Sequence, residues 1–299
     1  MSPFSGKSRG IQKICLPDLQ GELYLPSSNF PSPPASAIAV PQPTPSKRPA
    51  LVIMPSSAGV CDVRERYYAG HFAQIGFICL VVDSFLSRGL LPGIHSQLEL
   101  SDRDMTEDAL RGWRILAGRT DTDSERIAIL GVSRGGAAAL NTAFLSGSKY
   151  FAAHVAIAPS AFVQPRHPIT TGAPILMLVA GKDDFTGTDA ALHYARRLQQ
   201  GGANLAIQVF PEAYHAWESC GKPLLFPEIP CWPNYTFLLE EDGSYTDTQT
   251  GQNFSEAQFR ERCSSLPRHS AHAGGGTPAF KAEVCSVIEQ FLSFMTCTI

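Results

Sequence analysis

Six stretches of this chain are apolar almost without interruption: residues 50–54, 77–82, 127–130, 153–158, 174–180 and 205–210. Runs this short and this apolar read as strands buried on both faces, because a half-exposed strand would alternate. Between them the period changes. Residues 63–74, 105–117 and 188–200 place their apolar positions three and four apart, as an amphipathic helix does. Gly76 and Gly201-Gly202 stand where the first and last of these helices should end. A closing helix over 278–295 collects Phe280, Val284, Val287, Ile288, Phe291 and Met295 on one face. Strands alternating with helices of this length predict an α/β fold, a mainly parallel central sheet with helices on both faces.

Three regions break the rhythm. Residues 11–25 hold two short apolar runs around Asp18-Leu19-Gln20-Gly21, which predicts an antiparallel hairpin. Residues 31–49 contain seven prolines among Ser, Ala and Thr, a composition that cannot pair inside a sheet and reads as an exposed loop. Residues 218–277 are rich in Pro, Gly and polar types, with a hairpin turn expected at Glu241-Asp242-Gly243-Ser244. This last region starts immediately after His215, so it is expected to lie beside any site at that residue, as a lid or pocket wall. The chain as a whole, 1–299, reads as one domain.

Composition narrows the picture further. With 299 residues, 44% apolar and 17% charged, the chain can bury one large core. A net charge of −3, with no Lys/Arg cluster longer than a pair, argues against a nucleic-acid partner. No apolar run approaches the roughly 20 residues that cross a bilayer. The first ten residues lack the apolar core of a signal peptide, which leads to the expectation of a cytoplasmic protein. Five of the eight cysteines, Cys220, Cys231, Cys263, Cys285 and Cys297, fall after residue 215. Bridges among them, such as Cys231–Cys263, would instead imply a periplasmic or secreted setting; free buried thiols are the plainer expectation. No Cys-x-x-Cys pair suggests zinc, and no metal site is expected. Nothing in the sequence fixes an oligomeric state.

The chemistry centres on Gly131-Val132-Ser133-Arg134-Gly135, which follows an apolar strand and precedes an alanine-rich helix. A strand-to-helix turn this tight crowds its flanks, hence the two glycines, and lifts Ser133 to the apex near a helix N-terminus. A Gly-x-Ser-x-Gly match alone is weak evidence. A serine hydroxyl also needs a general base, itself held by an acid. Asp183 or Asp184 follows one later strand and His215 follows the last, 50 and 32 residues further along if the first aspartate is counted. In an open parallel sheet such strand ends converge. The order Ser, acid, His is that of the α/β-hydrolases. His154, inside a strand, reads as packing, and His193, in a helix, as solvated. Two oxyanion donors are expected from the backbone N–H groups of Arg134 and of the small-residue loop Ser56-Ser57-Ala58-Gly59, with Ser57 the candidate.

Ala50 to Gly59 with Arg64-Glu65, Gly76-Phe77 through Asp83-Ser84-Phe85, Gly131-Val132-Ser133-Arg134-Gly135-Gly136, Lys182-Asp183-Asp184-Phe185-Thr186, and Tyr214-His215-Ala216-Trp217 together resemble the dienelactone hydrolase family of α/β-hydrolases. The likeness runs from about residue 49 to 217. It implies hydrolysis of a small-molecule ester or lactone through an acyl-enzyme, with no metal or organic cofactor, and it favours Asp183 over Asp184 as the acid. Founding members use a cysteine nucleophile and a glutamate in the loop after the first buried strand; here Ser133 and Ser56 stand at those places, which points to a general serine esterase. Arg88 lies near where the family holds a substrate carboxylate and is a possible substrate-binding residue. An acylpeptide hydrolase or thioesterase would use the same residues with a different pocket, and a scaffold that kept the fold without the chemistry is the non-enzymatic alternative.

Overall fold

The computed structural model describes residues 11–16, 19–26, 47–93, 99–144, 150–230 and 232–296. Strands β1 (Ile11–Leu16) and β2 (Leu19–Tyr24) form the antiparallel hairpin expected at the start. β3 (Arg48–Met54), α1 (Glu65–Gln74), β4 (Ile78–Asp83), α2 (Asp102–Ala117), β5 (Thr122–Val132), α3 (Arg134–Asn141) and β6 (Ala153–Ile157) follow in alternation. A short strand, β7 (Val163–Pro165), stands outside this series. Then come β8 (Ile175–Ala180), α4 (Thr188–Gln200) and β9 (Leu205–Phe210). The central sheet has the order β1-β2-β4-β3-β5-β6-β8-β9. From β4 to β9 its strands pair in parallel, and β2 joins β4 antiparallel.

The uninterrupted apolar runs are explained by burial on two sides. Leu51, Ile53, Cys79, Val81 and Leu130 face α1 and the closing helix α6 (Pro278–Phe291), while their neighbours Val52, Ile78, Leu80, Ile127 and Ile129 face α2 and α3. Ile175, Met177 and Val179 of β8 pack on α4. Helix α2 begins earlier than its apolar period predicts. Ser101 and Asp104 form a reciprocal capping box that sets the start at Asp102. The proline-rich region 31–49 lies mostly outside the described residues, and its last two members, Arg48 and Pro49, already belong to β3.

Residues 218–277 carry more regular structure than their composition suggests. β10 (Leu224–Ile229) pairs antiparallel with β14 (His269–Ala273). β11 (Phe237–Leu239), β12 (Tyr245–Asp247) and β13 (Asn253–Phe254) join β7 in a second sheet, and α5 (Glu256–Ser265) packs beside it. The expected turn at 241–244 links β11 to β12, with Gly243 at φ 83°. A layer this small has few positions to bury, and it fills them with large rings: Phe237 and Phe254 inside, with Phe162, Trp232, Tyr245 and Phe259 half-buried against them. Cys15, Cys61, Cys79, Cys220, Cys263 and Cys285 are free thiols, while Cys231 and Cys297 lie outside the described residues, and with Cys231 the bridge considered above.

α6 closes one face of the core through Val284, Ile288, Leu292 and Met295. Ile288 is fully buried, so Ile288→Ala should cost about 2–5 kcal/mol of stability. Urea unfolding at constant m-value is the measurement; a loss below about 1 kcal/mol would mean that this helix is not part of the core.

Candidate active site

The turn after β5 is built from close backbone approaches. A Cβ on Gly131 would lie 1.9 Å from the carbonyl oxygen of Gly135, and one on Gly135 would lie 2.4 Å from that of Met54. Both positions therefore exclude a side chain, and the second brings the loop after β3 against the turn. Ser133 between them has φ 57° and ψ −116°, a conformation that non-glycine residues occupy only when their surroundings hold them there. Those surroundings are visible. Its N–H donates to Ile157 O at 2.9 Å, and its carbonyl accepts from Ala137 and Ser160 N–H groups.

His215 lies in the loop after β9 and accepts from Ser133 Oγ at Nε2, 3.1 Å away. Its Nδ1 donates to Asp183 Oδ2 at 2.8 Å. Asp183 as acceptor on one ring nitrogen leaves the other with the lone pair that the serine proton needs. The carboxylate is itself fixed: Phe185 N, Thr186 N and Thr186 Oγ all donate to it. Burial opposes ionisation of Asp183, but the imidazole beside it and these donors outweigh burial and hold its pKa below the usual value. Phe185 stacks on the His215 ring with centroids 4.7 Å apart and planes 12° apart, limiting its rotation. The main chain of His215 is anchored too, accepting from Gly274 N just beyond β14.

The neighbouring carboxylate is turned elsewhere. Asp184 accepts from both the backbone N–H and the Nδ1 of His272, each at 2.7 Å, and so clips β14 to the loop after β8. His154 is buried against Ala139 O, and burial pushes its pKa down to about 4. His193 is exposed on α4.

Arg134 opens α3, and its side chain donates to Leu100 O and to Asp102. Ser57 is buried in the loop after β3, where its carbonyl accepts from Gly93 N. That loop is held by a group whose role the sequence reading left unassigned. Glu65, wholly buried, accepts from Ser56 N at 3.1 Å, Cys61 N at 3.0 Å and Arg64 Nε at 2.6 Å. Arg64, also buried, donates in turn to Gly59 O. Burial alone would disfavour the guanidinium charge, and the Glu65 carboxylate beside it more than compensates. Arg88 is not brought to this place. Its guanidinium forks onto the buried Asp108 of α2, at 2.6 and 3.2 Å, and Asp104 stands 3.6 Å away. The turn after β4 directs this side chain across to α2, so the residue holds the scaffold together.

Ser133 opens into a cleft whose far wall comes from the second layer: Phe162, Trp232, Tyr245, Phe259 and Cys263. Among the described residues no cluster of three His, Cys, Asp or Glu side chains is arranged to hold a metal ion.

The sheet order, the strained turn and its position after β5 define an α/β-hydrolase. A model of the dienelactone hydrolase family matches residues 36–224, and the chain belongs to that family, whose members hydrolyse ester bonds. Comparison with curated proteins finds no match. Among solved structures, the chain is similar to esterase 2 of Thermogutta terrifontis, with TM-score 0.55 and 15% identity over 72% of this chain and 88% of that one. It is also similar to MGS-M1, an α/β hydrolase from a Medee basin deep-sea metagenome library, with TM-score 0.52 and 18% identity over 70% and 84%. A protein of Klebsiella pneumoniae ascribed to the dienelactone hydrolases gives TM-score 0.53 and 18% identity over 69% and 87%.

Two outcomes test this geometry. Glu65→Gln leaves the Arg64 charge buried without its carboxylate and should cost about 3–5 kcal/mol in denaturant unfolding; a loss under 1 kcal/mol would show that the pair does not hold the loop. Asp183→Asn should lower kcat for an ester by about 10³–10⁴, and Asp184→Asn by less than tenfold. The reverse ranking would make Asp184 the acid.

Proposed function

We propose that this protein is a serine hydrolase that cleaves a carboxylic ester or lactone through an acyl-enzyme. The single observation that carries the reading is the unbroken chain Ser133 Oγ to His215 Nε2, 3.1 Å, and His215 Nδ1 to Asp183 Oδ2, 2.8 Å, set on a turn held in positive φ.

The steps follow from these contacts. His215 Nε2 takes the proton of Ser133 as Oγ attacks the ester carbonyl, whose π electrons move to oxygen. The resulting oxyanion is stabilised by the backbone N–H groups of Arg134 and Ser57, a stabilisation worth roughly 3–4 kcal/mol per donor. Asp183 stays ionised, and so stabilises the imidazolium and keeps Nδ1 protonated. The tetrahedral intermediate collapses as His215 delivers its proton to the leaving alkoxide oxygen, and the alcohol departs. Water then attacks the acyl-serine, giving its proton to Nε2, and the carboxylic acid leaves as Ser133 recovers its own proton. For a lactone the alcohol and acid remain one molecule.

A neutral imidazole is required at the start of each half-reaction, so His215 Nε2 must carry its lone pair both when Ser133 and when water attacks. Ser133→Ala should lower kcat by at least about 10⁴-fold while the protein still folds cooperatively. The acyl-enzyme is tested by partitioning. Esters that share an acyl group but differ in alcohol are hydrolysed in hydroxylamine, and the ratio of hydroxamate to acid is measured. One common ratio is expected; a ratio that changes with the alcohol would exclude a shared acyl intermediate.

A further inference from the structure

The family match ends at residue 224, yet much of the cleft beside Ser133 is made by residues after it: Pro230, Trp232, Tyr245, Glu256, Phe259 and Arg260. Three of these six, Trp232, Tyr245 and Phe259, carry aromatic rings, and Phe162 joins them in the lining. Phe162 lies 4.9 Å from Trp232 and 6.0 Å from Phe259, ring centre to ring centre, and Phe259 stacks on Tyr245 at 4.0 Å with planes 8° apart. All four rings are half-buried against Phe237, Phe254 and Leu266, and all four line the cleft. Phe185, another lining residue, already lies flat on His215.

Among the described residues, the charged side chains that line the cleft are paired with each other. Arg260 binds Glu256 at 2.6 Å, and Arg134 binds Asp102 at 3.0 Å. The remaining candidate for a substrate anion, Arg88, is bound to Asp108 outside the cleft. A carboxylate entering the cleft would have to compete with an acidic side chain for each of these guanidinium groups, whereas an uncharged ring meets a surface of its own kind.

We infer that the layer formed by residues 232–266, with Phe162, is a specificity wall that selects uncharged esters bearing an aromatic ring. The inference rests on the serine-hydrolase reading above and names the substrate class for that same site. Phe162, Trp232 and Phe259 are the specificity-determining residues: offset and edge-to-face ring contacts favour an aromatic group over a saturated ring of equal size by roughly 3- to 10-fold per contact.

The test uses matched pairs whose carbonyl and alcohol reactivity are similar: methyl phenylacetate against methyl cyclohexylacetate, and benzyl acetate against cyclohexylmethyl acetate. The expected result is a kcat/KM ratio of about tenfold or more in favour of the aromatic partner in at least one pair, and that pair identifies which half of the ester meets the wall. Trp232→Leu and Phe259→Leu should each lower the ratio by about 3- to 10-fold. A para carboxylate on methyl phenylacetate should lower kcat/KM. Turnover of both partners at equal rates by the unaltered protein, or faster turnover of the carboxylate-bearing ester, would overturn this inference and leave the hydrolase reading standing. Failure to turn over any ester would overturn both.

Discussion

The structure depends on one crowded point, where the chain leaves β5 and enters α3. Gly131, Ser133 and Gly135 bring three backbone segments so close that a methyl group at either glycine would overlap a carbonyl oxygen. Ser133 sits there in a strained conformation that costs roughly 1–3 kcal/mol. The cost is offset by what surrounds it. β5 lies between β3 and β6 in the sheet, and the serine N–H is bound to the end of β6. A rigid sheet interior thus holds the one residue that must not relax.

Everything else at the site can be described as holding a loop against that point. Glu65 collects three donors to hold the loop after β3, and Asp183 collects three besides His215 to hold the loop after β8. Asp184 and His272 fasten β14 to that same loop, and Gly274 binds the His215 carbonyl. Adjacent aspartates therefore have separate duties: one faces inward to the imidazole, the other outward to β14. Carboxylates are suited to this use, since each accepts several hydrogen bonds and so orders more than one segment.

The strands and the Ser, acid, His order were legible because both are properties of short sequence runs. β8, α4 and β9 follow from periodicity alone, and Gly-x-Ser-x-Gly announces its own turn. The choice between Asp183 and Asp184 was not available from the residues, because adjacent side chains at a loop start point apart by an amount that only the loop fixes. Arg88 shows the opposite error. The family resemblance set it near a substrate carboxylate, but Asp108, twenty residues away and buried in a helix, holds its charge. Asp108 gave no signal in sequence, since an acidic residue in an amphipathic helix normally reads as solvated. Phe185 and Glu65 stood inside recognised stretches without an assignable role, and the aromatic layer after residue 224 was hidden by a composition rich in turn formers. Its strands are two to six residues long, too short for a period to register.

The central claim is that Ser133 is a covalent nucleophile because the elbow sets it in the wall of the cleft and His215 activates it. Fluorophosphonates react with activated serine hydroxyls, which makes them a direct probe of such a nucleophile. The most direct measurement is intact-mass analysis and peptide mapping after exposure to a fluorophosphonate. One adduct per chain is expected, on the peptide carrying Ser133, and none in Ser133→Ala. An unmodified chain, or an adduct that persists in the variant, would contradict the account.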